Sequence, residues 1–274
     1  MRQRADAHIH SIRLGDKPIL GHKDIVSLDT YRQYFKSSNI GTAFVVFNDE
    51  DSFNELKQSC PGTDIYGFYW IHDLNNYSIP DTADALKFES YIDKIDISEI
   101  EPILDSDTKK RPVYIHCGEL ESGLSNPSKV EELAQLYSGR RFIIGHTGAY
   151  APPIGEALRN LNIPELVQQA IDICITNDNI WLETSILNYG PKLELIAKNI
   201  DSIKDKVLLG TDFPLTIGDV LEDKVQVKQN ILSEQPTLLS QEKLLADYLS
   251  IHKDRNFANK IIDQIYQNTA AFFR

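Results

Sequence analysis

The stretch Ala5-Asp6-Ala7-His8-Ile9-His10 closes a short apolar-flanked run on two histidines. Three later stretches end in a comparable way: Pro112-Val113-Tyr114-Ile115-His116, Phe142-Ile143-Ile144-Gly145-His146 and Val207-Leu208-Leu209-Gly210-Thr211-Asp212. Short runs rich in Val, Ile, Leu, Phe and Tyr read as β-strands. Eight are predicted: Ala5 to His10, Thr42 to Phe47, Ile65 to Ile71, Ala83 to Phe88, Pro112 to His116, Arg141 to His146, Asn179 to Thr184 and Lys206 to Asp212. Amphipathic helical patterns lie between several of them. Ser98 offers an N-cap ahead of Glu99 to Leu104, Asn126-Pro127-Ser128 precedes Val130 to Tyr137, Asn162-Ile163-Pro164 precedes Glu165 to Cys174, and Pro191 precedes Lys192 to Ile203. Alternating strands and helices imply parallel βαβ units, and eight such units close into a barrel. The expected fold class is therefore α/β, a (β/α)8 TIM barrel. Its weakest crossover is the short polar stretch Asp73 to Thr82. Gly218 to Leu232, Gln241 to Ile251 and Asn256 to Phe273 read as extra C-terminal helices, the last with an apolar stripe through Phe257, Ile261, Ile265 and Phe273.

The length of 274 residues suits one such barrel, which takes about 250, so residues 1–274 are expected to form a single domain. A formal net charge of −12 disfavours nucleic acid or an anionic membrane surface as partner, since both demand basic patches. No apolar run approaches the roughly 20 residues of a membrane span. The start, Met1-Arg2-Gln3-Arg4-Ala5-Asp6, has no apolar signal region behind its basic residues. Cys60, Cys117 and Cys174 are odd in number and widely spaced, which suits a reducing compartment and a cytoplasmic location. Cys117 follows His116, but strand neighbours face opposite sides, so a packed thiol facing the helix layer is expected. The expected partner is a small-molecule substrate, and homo-oligomerisation is left open.

His8 and His10 are two residues apart, a spacing that puts both imidazoles on one face of a strand. A lone His-x-His is weak, and a single strand-end histidine such as His116 is more often a satisfied core residue than a ligand. In combination, His8, His10, His116 and Asp212 supply three nitrogens and an oxygen at strand ends, where barrel active sites lie. Such donors suit a first-row divalent ion. Parity places Tyr114 with His116, Ile144 with His146 and Gly210 with Asp212, so small and medium residues are expected beneath each polar tip.

Asp6-Ala7-His8-Ile9-His10, Ile115-His116-Cys117-Gly118-Glu119, Ile144-Gly145-His146-Thr147-Gly148 and Leu209-Gly210-Thr211-Asp212-Phe213-Pro214 together resemble the motifs of the amidohydrolase superfamily. They are closest to its mononuclear branch, often called amidohydrolase 2, which includes metal-dependent hydrolases and some decarboxylases. The resemblance spans nearly the whole chain. It implies a (β/α)8 barrel in which His8, His10, His116 and Asp212 are metal ligands, with His146 near the substrate or at a second metal position. Binuclear members carry a bridging fourth-strand lysine or glutamate. This chain has Leu86-Lys87-Phe88-Glu89 there, and Lys87 and Glu89 share parity. One divalent ion is expected rather than two, with Zn²⁺ ahead of Mn²⁺ or another first-row metal. A buried ion pair between Lys87 and Glu89 is the plainer alternative.

A bound ion would supply hydroxide at neutral pH, with Asp212 shuttling the proton and His146 steadying the oxyanion or the proton transfer. The reaction expected is hydrolysis of an ester, lactone or amide bond. Arg13, Lys87, Glu119 and Glu183 are candidates for substrate binding, and His72 for the site's margin; ordinary rim residues are the competing reading for each. Three other activities fit the same motifs. They are non-hydrolytic decarboxylation of an unsaturated or aromatic acid, a TatD-like metal-dependent nuclease, and a metal-binding barrel without catalysis.

Overall fold

In a computed structural model, residues 2–11, 27–89, 93, 95–118, 126–149, 163–185, 187, 190–213 and 238–274 are described. Eight strands stand side by side in chain order in one parallel sheet: β1 (Arg4–His10), β2 (Ile40–Phe47), β3 (Asp64–Trp70), β4 (Ala83–Glu89), β5 (Val113–His116), β6 (Phe142–Ile144), β7 (Ile180–Glu183) and β8 (Val207–Leu208). The residues after β8 meet β1 and bring the sheet round on itself. Ala7 N–H donates to the Leu209 carbonyl at 2.9 Å, Asp212 N–H to the His8 carbonyl at 2.9 Å, and His10 N–H to the Phe213 carbonyl at 2.7 Å. The fold is a (β/α)8 TIM barrel.

The helices are α1 (Leu28–Ser38), α2 (Glu50–Ser59), α3 (Ile97–Ser106), α4 (Pro127–Leu136), α5 (Ile163–Thr176), α6 (Gly190–Ile203), α7 (Leu238–His252) and α8 (Arg255–Ala271). Short polar caps start them. Ser27 Oγ accepts from Thr30 N–H, Asp49 from Asp51 and Ser52 N–H, Asn126 from Ser128 N–H with Pro127 at the first turn, and Asp254 from Phe257 N–H. Glu99 in α3 reaches back to Asp96 N–H at 2.7 Å, the reciprocal half of a capping box, so that helix starts just ahead of Ser98. No helix bridges β3 and β4, where Asp73 to Thr82 runs as turns and loop. The stretch Gly218 to Leu232 lies outside the described residues. No helix among the described residues is long and apolar enough to cross a membrane.

Alternation along each strand separates two apolar layers. Val113, Ile115 and Cys117 join the layer between sheet and helices, while Tyr114 joins the lumen with Phe44, Phe68, Trp70 and Leu208. Cys117 therefore packs outward, and burial raises its thiol well above the ordinary range. The lumen is stoppered by the C-terminal Phe272 and Phe273, whose rings contact Phe44, Tyr66, Phe68 and Trp181. The apolar stripe of α8 thus serves the barrel itself, with Ile261, Ile262 and Ile265 buried.

Two strands are shorter than their apolar runs. β6 stops at Ile144 because Gly145–Gly148 turns as a 3-10 element with His146 and Thr147 at φ 52° and 51°. Ile144 accordingly packs outward, and its expected shared face with His146 is not found: the left-handed turn swings His146 back over the lumen. β8 keeps only Val207–Leu208 in register, and Asp212 again sits at positive φ, 67°.

Candidate metal centre

The site lies on the seam where the barrel closes. A register shift between Asp6 and Ile9 inserts a bulge into β1. Ala7 packs into the lumen and Ile9 outward, so the bulge lets His8 join Ala7 on the inner side while Asp6 turns away. Asp6 anchors the bulge. Its carboxyl accepts from His8 N–H at 3.2 Å, Thr211 N–H at 3.1 Å, the Thr211 hydroxyl at 2.7 Å and the Tyr34 hydroxyl at 2.6 Å. Burial pushes that carboxyl up to about 7 against the lowering effect of these donors. One carboxyl thereby ties the backbone of His8 to the backbone beside Asp212.

His8, His10 and Asp212 converge within reach of a single ion, and all three are buried. His10 Nε2 lies 2.9 Å and His8 Nε2 3.4 Å from Asp212 Oδ1. His8 Nε2 and His10 Nδ1 are buried with no hydrogen-bond partner among the described residues, a costly state for an imidazole with nothing further to bind. Burial lowers both histidines, His10 well below its ordinary value, so both are neutral and carry a free lone pair. Burial raises the Asp212 carboxyl, with His8, Lys87 and His116 opposing. A carboxylate beside two imidazoles, His8 offering its unpartnered Nε2 and His10 the Nε2 next to Asp212, fits a divalent cation. Asp212, His146 and Thr147 hold left-handed backbone without being glycine, strain that surrounding structure must maintain.

His116 and His146 stand beside this group. His116 Nδ1 is 2.8 Å from Glu89 Oε2 and 3.1 Å from His146 Nε2. A carboxylate only accepts, so the His116 proton sits on Nδ1. His146 Nδ1 is 2.5 Å from Ser185 Oγ, and the Ser185 hydroxyl donates to Glu183 Oε2 at 3.1 Å. His146 is lowered well below its ordinary value by burial and by His116 and His8. Glu89 and Lys87 are both in the lumen. Glu89 Oε1 is buried without a hydrogen-bond partner among the described residues, and Lys87 Nζ lies 4.5 Å from the Trp70 ring centroid and 5.7 Å from that of Tyr114.

Glu183 is completely buried beneath His8. It accepts from the Tyr114 hydroxyl at 3.0 Å, His146 N–H at 3.0 Å and Ser185 N–H at 2.5 Å. Burial alone would raise its carboxyl; His8, the His146 N–H and Lys192 together outweigh that and lower it. Lys192, in the first turn of α6, is buried with Nζ donating to the Ser185 carbonyl at 2.9 Å, and burial brings it down to about 7. His72 lies at the margin, stacked on Trp70 with ring centroids 3.9 Å apart and its Nδ1 3.1 Å from Asp93. Arg13 and Glu119 lie outside the described residues. Tyr34, Ser185, Lys192 and Asp93 lie outside the sequence motifs, and Asp6 and Thr211 lie inside them with no role assigned from sequence. Only Asp6 carries a visible signal, an acidic residue inside an apolar strand.

No protein-family model matches the sequence, and no curated protein does. Solved structures do. A probable 2-pyrone-4,6-dicarboxylic acid hydrolase from Acinetobacter baumannii, with citric acid bound, superposes with TM-score 0.67 at 12% identity, covering 99% of both chains. The chain shares the barrel fold of that protein. An amidohydrolase from Burkholderia multivorans with bound zinc gives TM-score 0.61 at 13% identity over 99% of this chain and 98% of that one. Amidohydrolase 2 from Bifidobacterium longum subsp. infantis gives 0.55 at 15% identity over 97% and 99%. These likenesses of fold extend over 97–99% of this chain.

Proposed function

We propose that this barrel is a metal-dependent hydrolase that opens an ester, lactone or amide bond of a small molecule. The observation that carries the reading is the convergence of His8 Nε2 and His10 Nε2 on Asp212 Oδ1 at the barrel seam, with all three residues buried. The zinc in the Burkholderia neighbour adds support for a divalent ion on this fold. His8, His10 and Asp212 would hold one ion, with His116 presenting Nε2 because Glu89 occupies the proton on Nδ1. Zn²⁺ is the first choice for imidazole and carboxylate donors, and Mn²⁺ is an alternative.

A bound divalent ion supplies an acidified water and a Lewis acid. The residues around it handle protons and orientation. Asp212, raised by burial, takes a proton from the attacking water and returns it to the leaving group. Because the Ser185 hydroxyl is committed to Glu183, His146 donates from Nδ1 to Ser185 and keeps a lone pair on Nε2, with which it assists proton transfer. Lys87, held between the Trp70 and Tyr114 rings, adds fixed positive charge to the lumen.

The test is a panel of lactones, aryl esters and amides offered to zinc- and manganese-loaded protein, with carbon dioxide release from unsaturated and aromatic acids followed in parallel. The expected result is hydrolysis of one bond class, abolished by chelation and restored by metal. Carbon dioxide release without hydrolysis, or hydrolysis indifferent to chelation, contradicts the proposal.

A further inference from the structure

Glu183 admits two roles. Its carboxylate, His8 and His146 offer ligand atoms close enough together to hold an ion, so it could serve a second metal that shares His8. The hydrogen bonds argue for a different role.

Glu183 Oε2, the oxygen nearest His8 Nδ1 at 3.4 Å, already accepts from the Tyr114 hydroxyl, His146 N–H and the Ser185 hydroxyl. Oε1 accepts from Ser185 N–H and lies so close to Gly210 that a Cβ there would overlap it. Four donors thus already occupy the two oxygens. A carboxylate oxygen accepts and cannot donate, so Tyr114 must spend its one proton on Glu183. The Tyr114 oxygen is also 2.9 Å from His8 Nδ1. With its proton committed, that oxygen accepts, and His8 Nδ1 must donate. The chain of donors runs from His8 Nδ1–H to Tyr114 O–H to Glu183. It leaves the lone pair of His8 on Nε2, the atom with no hydrogen-bond partner that faces Asp212.

We propose that Glu183 is a positioning residue and not a metal ligand: acting through Tyr114, it locks His8 in the Nδ1–H tautomer and aims Nε2 at the ion. The use of Nε2 rests on the metal reading above; the tautomer does not. Carboxylates that orient ligating histidines in this way are worth about 10–100-fold in metal affinity.

The experiment uses the full chain, labelled with ¹⁵N. Long-range proton–nitrogen spectra of the metal-free protein at neutral pH report which ring nitrogen of His8 carries hydrogen. Zinc dissociation constants and zinc count per chain are measured on the same samples. The wild type is expected to show Nδ1–H alone. Tyr114→Phe should show a second tautomer and bind zinc about 10–100-fold more weakly. Glu183→Gln offers Tyr114 an amide in place of a carboxylate; it should mix the tautomers too, while keeping the wild-type zinc count, and it stands in if the phenylalanine variant fails to fold. A merely structural role would lower stability without moving the tautomer. A single Nδ1–H tautomer and unchanged zinc affinity in the variants would overturn the lock. Loss of one zinc equivalent in Glu183→Gln would make Glu183 a ligand and overturn it as well. If wild-type protein took up no zinc, the metal reading would fall, while the metal-free spectra would still decide the lock.

Discussion

The two ends of the barrel treat buried polar groups in opposite ways. At the N-terminal end, Asp107 sits between Arg111 and Arg140 with contacts of 2.5 and 2.6 Å and accepts from Arg111 N–H at 2.8 Å. The arginines spend further N–H groups on the carbonyls of Ala83, Leu104 and Arg111. Burial alone would raise Asp107, yet Arg140 and Arg111 hold it below its ordinary range. At the C-terminal end, His8 Nε2, His10 Nδ1 and Glu89 Oε1 are buried without hydrogen-bond partners among the described residues, and Asp212 and His146 hold left-handed backbone. A buried polar group that is fully partnered serves the fold. Buried polar atoms left without partners, beside residues held on strained backbone, point instead to a group that binds there.

The contrast can be broken from either end. Asp107→Ala leaves two buried arginines uncompensated and should cost about 3–5 kcal/mol in denaturant unfolding, with zinc affinity of the folded protein unchanged. Asp212→Asn should do the reverse, lowering hydrolytic turnover by about 10²–10⁴-fold with unfolding midpoint intact. Gly210→Ala would press a methyl group onto Glu183 Oε1 and His8 Cβ, and should cost about 1–3 kcal/mol by overpacking while also weakening zinc binding. A further test lies in pH dependence. Asp6 binds its proton up to about 7 when folded, against about 3.9 when unfolded, so between those values the folded state holds more protons. Against the opposite contribution of the lowered His8, His10 and His146, Asp6 therefore adds a slope of its own, a stability that falls as pH rises through that window by at most about 1.4 kcal/mol per pH unit. In Asp6→Asn this slope should disappear.

The barrel was legible because each apolar run ended in a turn signal and strand and helix patterns alternated. Position at a strand end singled out His8, His10, His116 and Asp212, of which His8, His10 and Asp212 bring ligand atoms within reach of one ion. Their exact aim was not legible. The bulge in β1 depends on Asp6 meeting Thr211 and Tyr34, contacts between segments far apart in the chain. The inward turn of His146 depends on positive φ at two non-glycine residues, which no local propensity favours. No motif marks Ser185, just past the seventh predicted strand, or Lys192, at the start of a predicted helix; only their burial against Glu183 and His146 gives them a place in the site. The polar stretch Asp73 to Thr82 was legible as a poor crossover, and no helix forms there.

The central claim is that His8, His10 and Asp212 hold a divalent ion. Metal analysis of the chain after reconstitution with zinc and removal of excess tests it most directly, with His10→Ala as comparison. The account predicts one tightly held zinc per wild-type chain and almost none in His10→Ala, with both proteins showing the same circular dichroism. A wild-type chain that retains no zinc or manganese, or a His10→Ala chain that retains as much as the wild type, would contradict it.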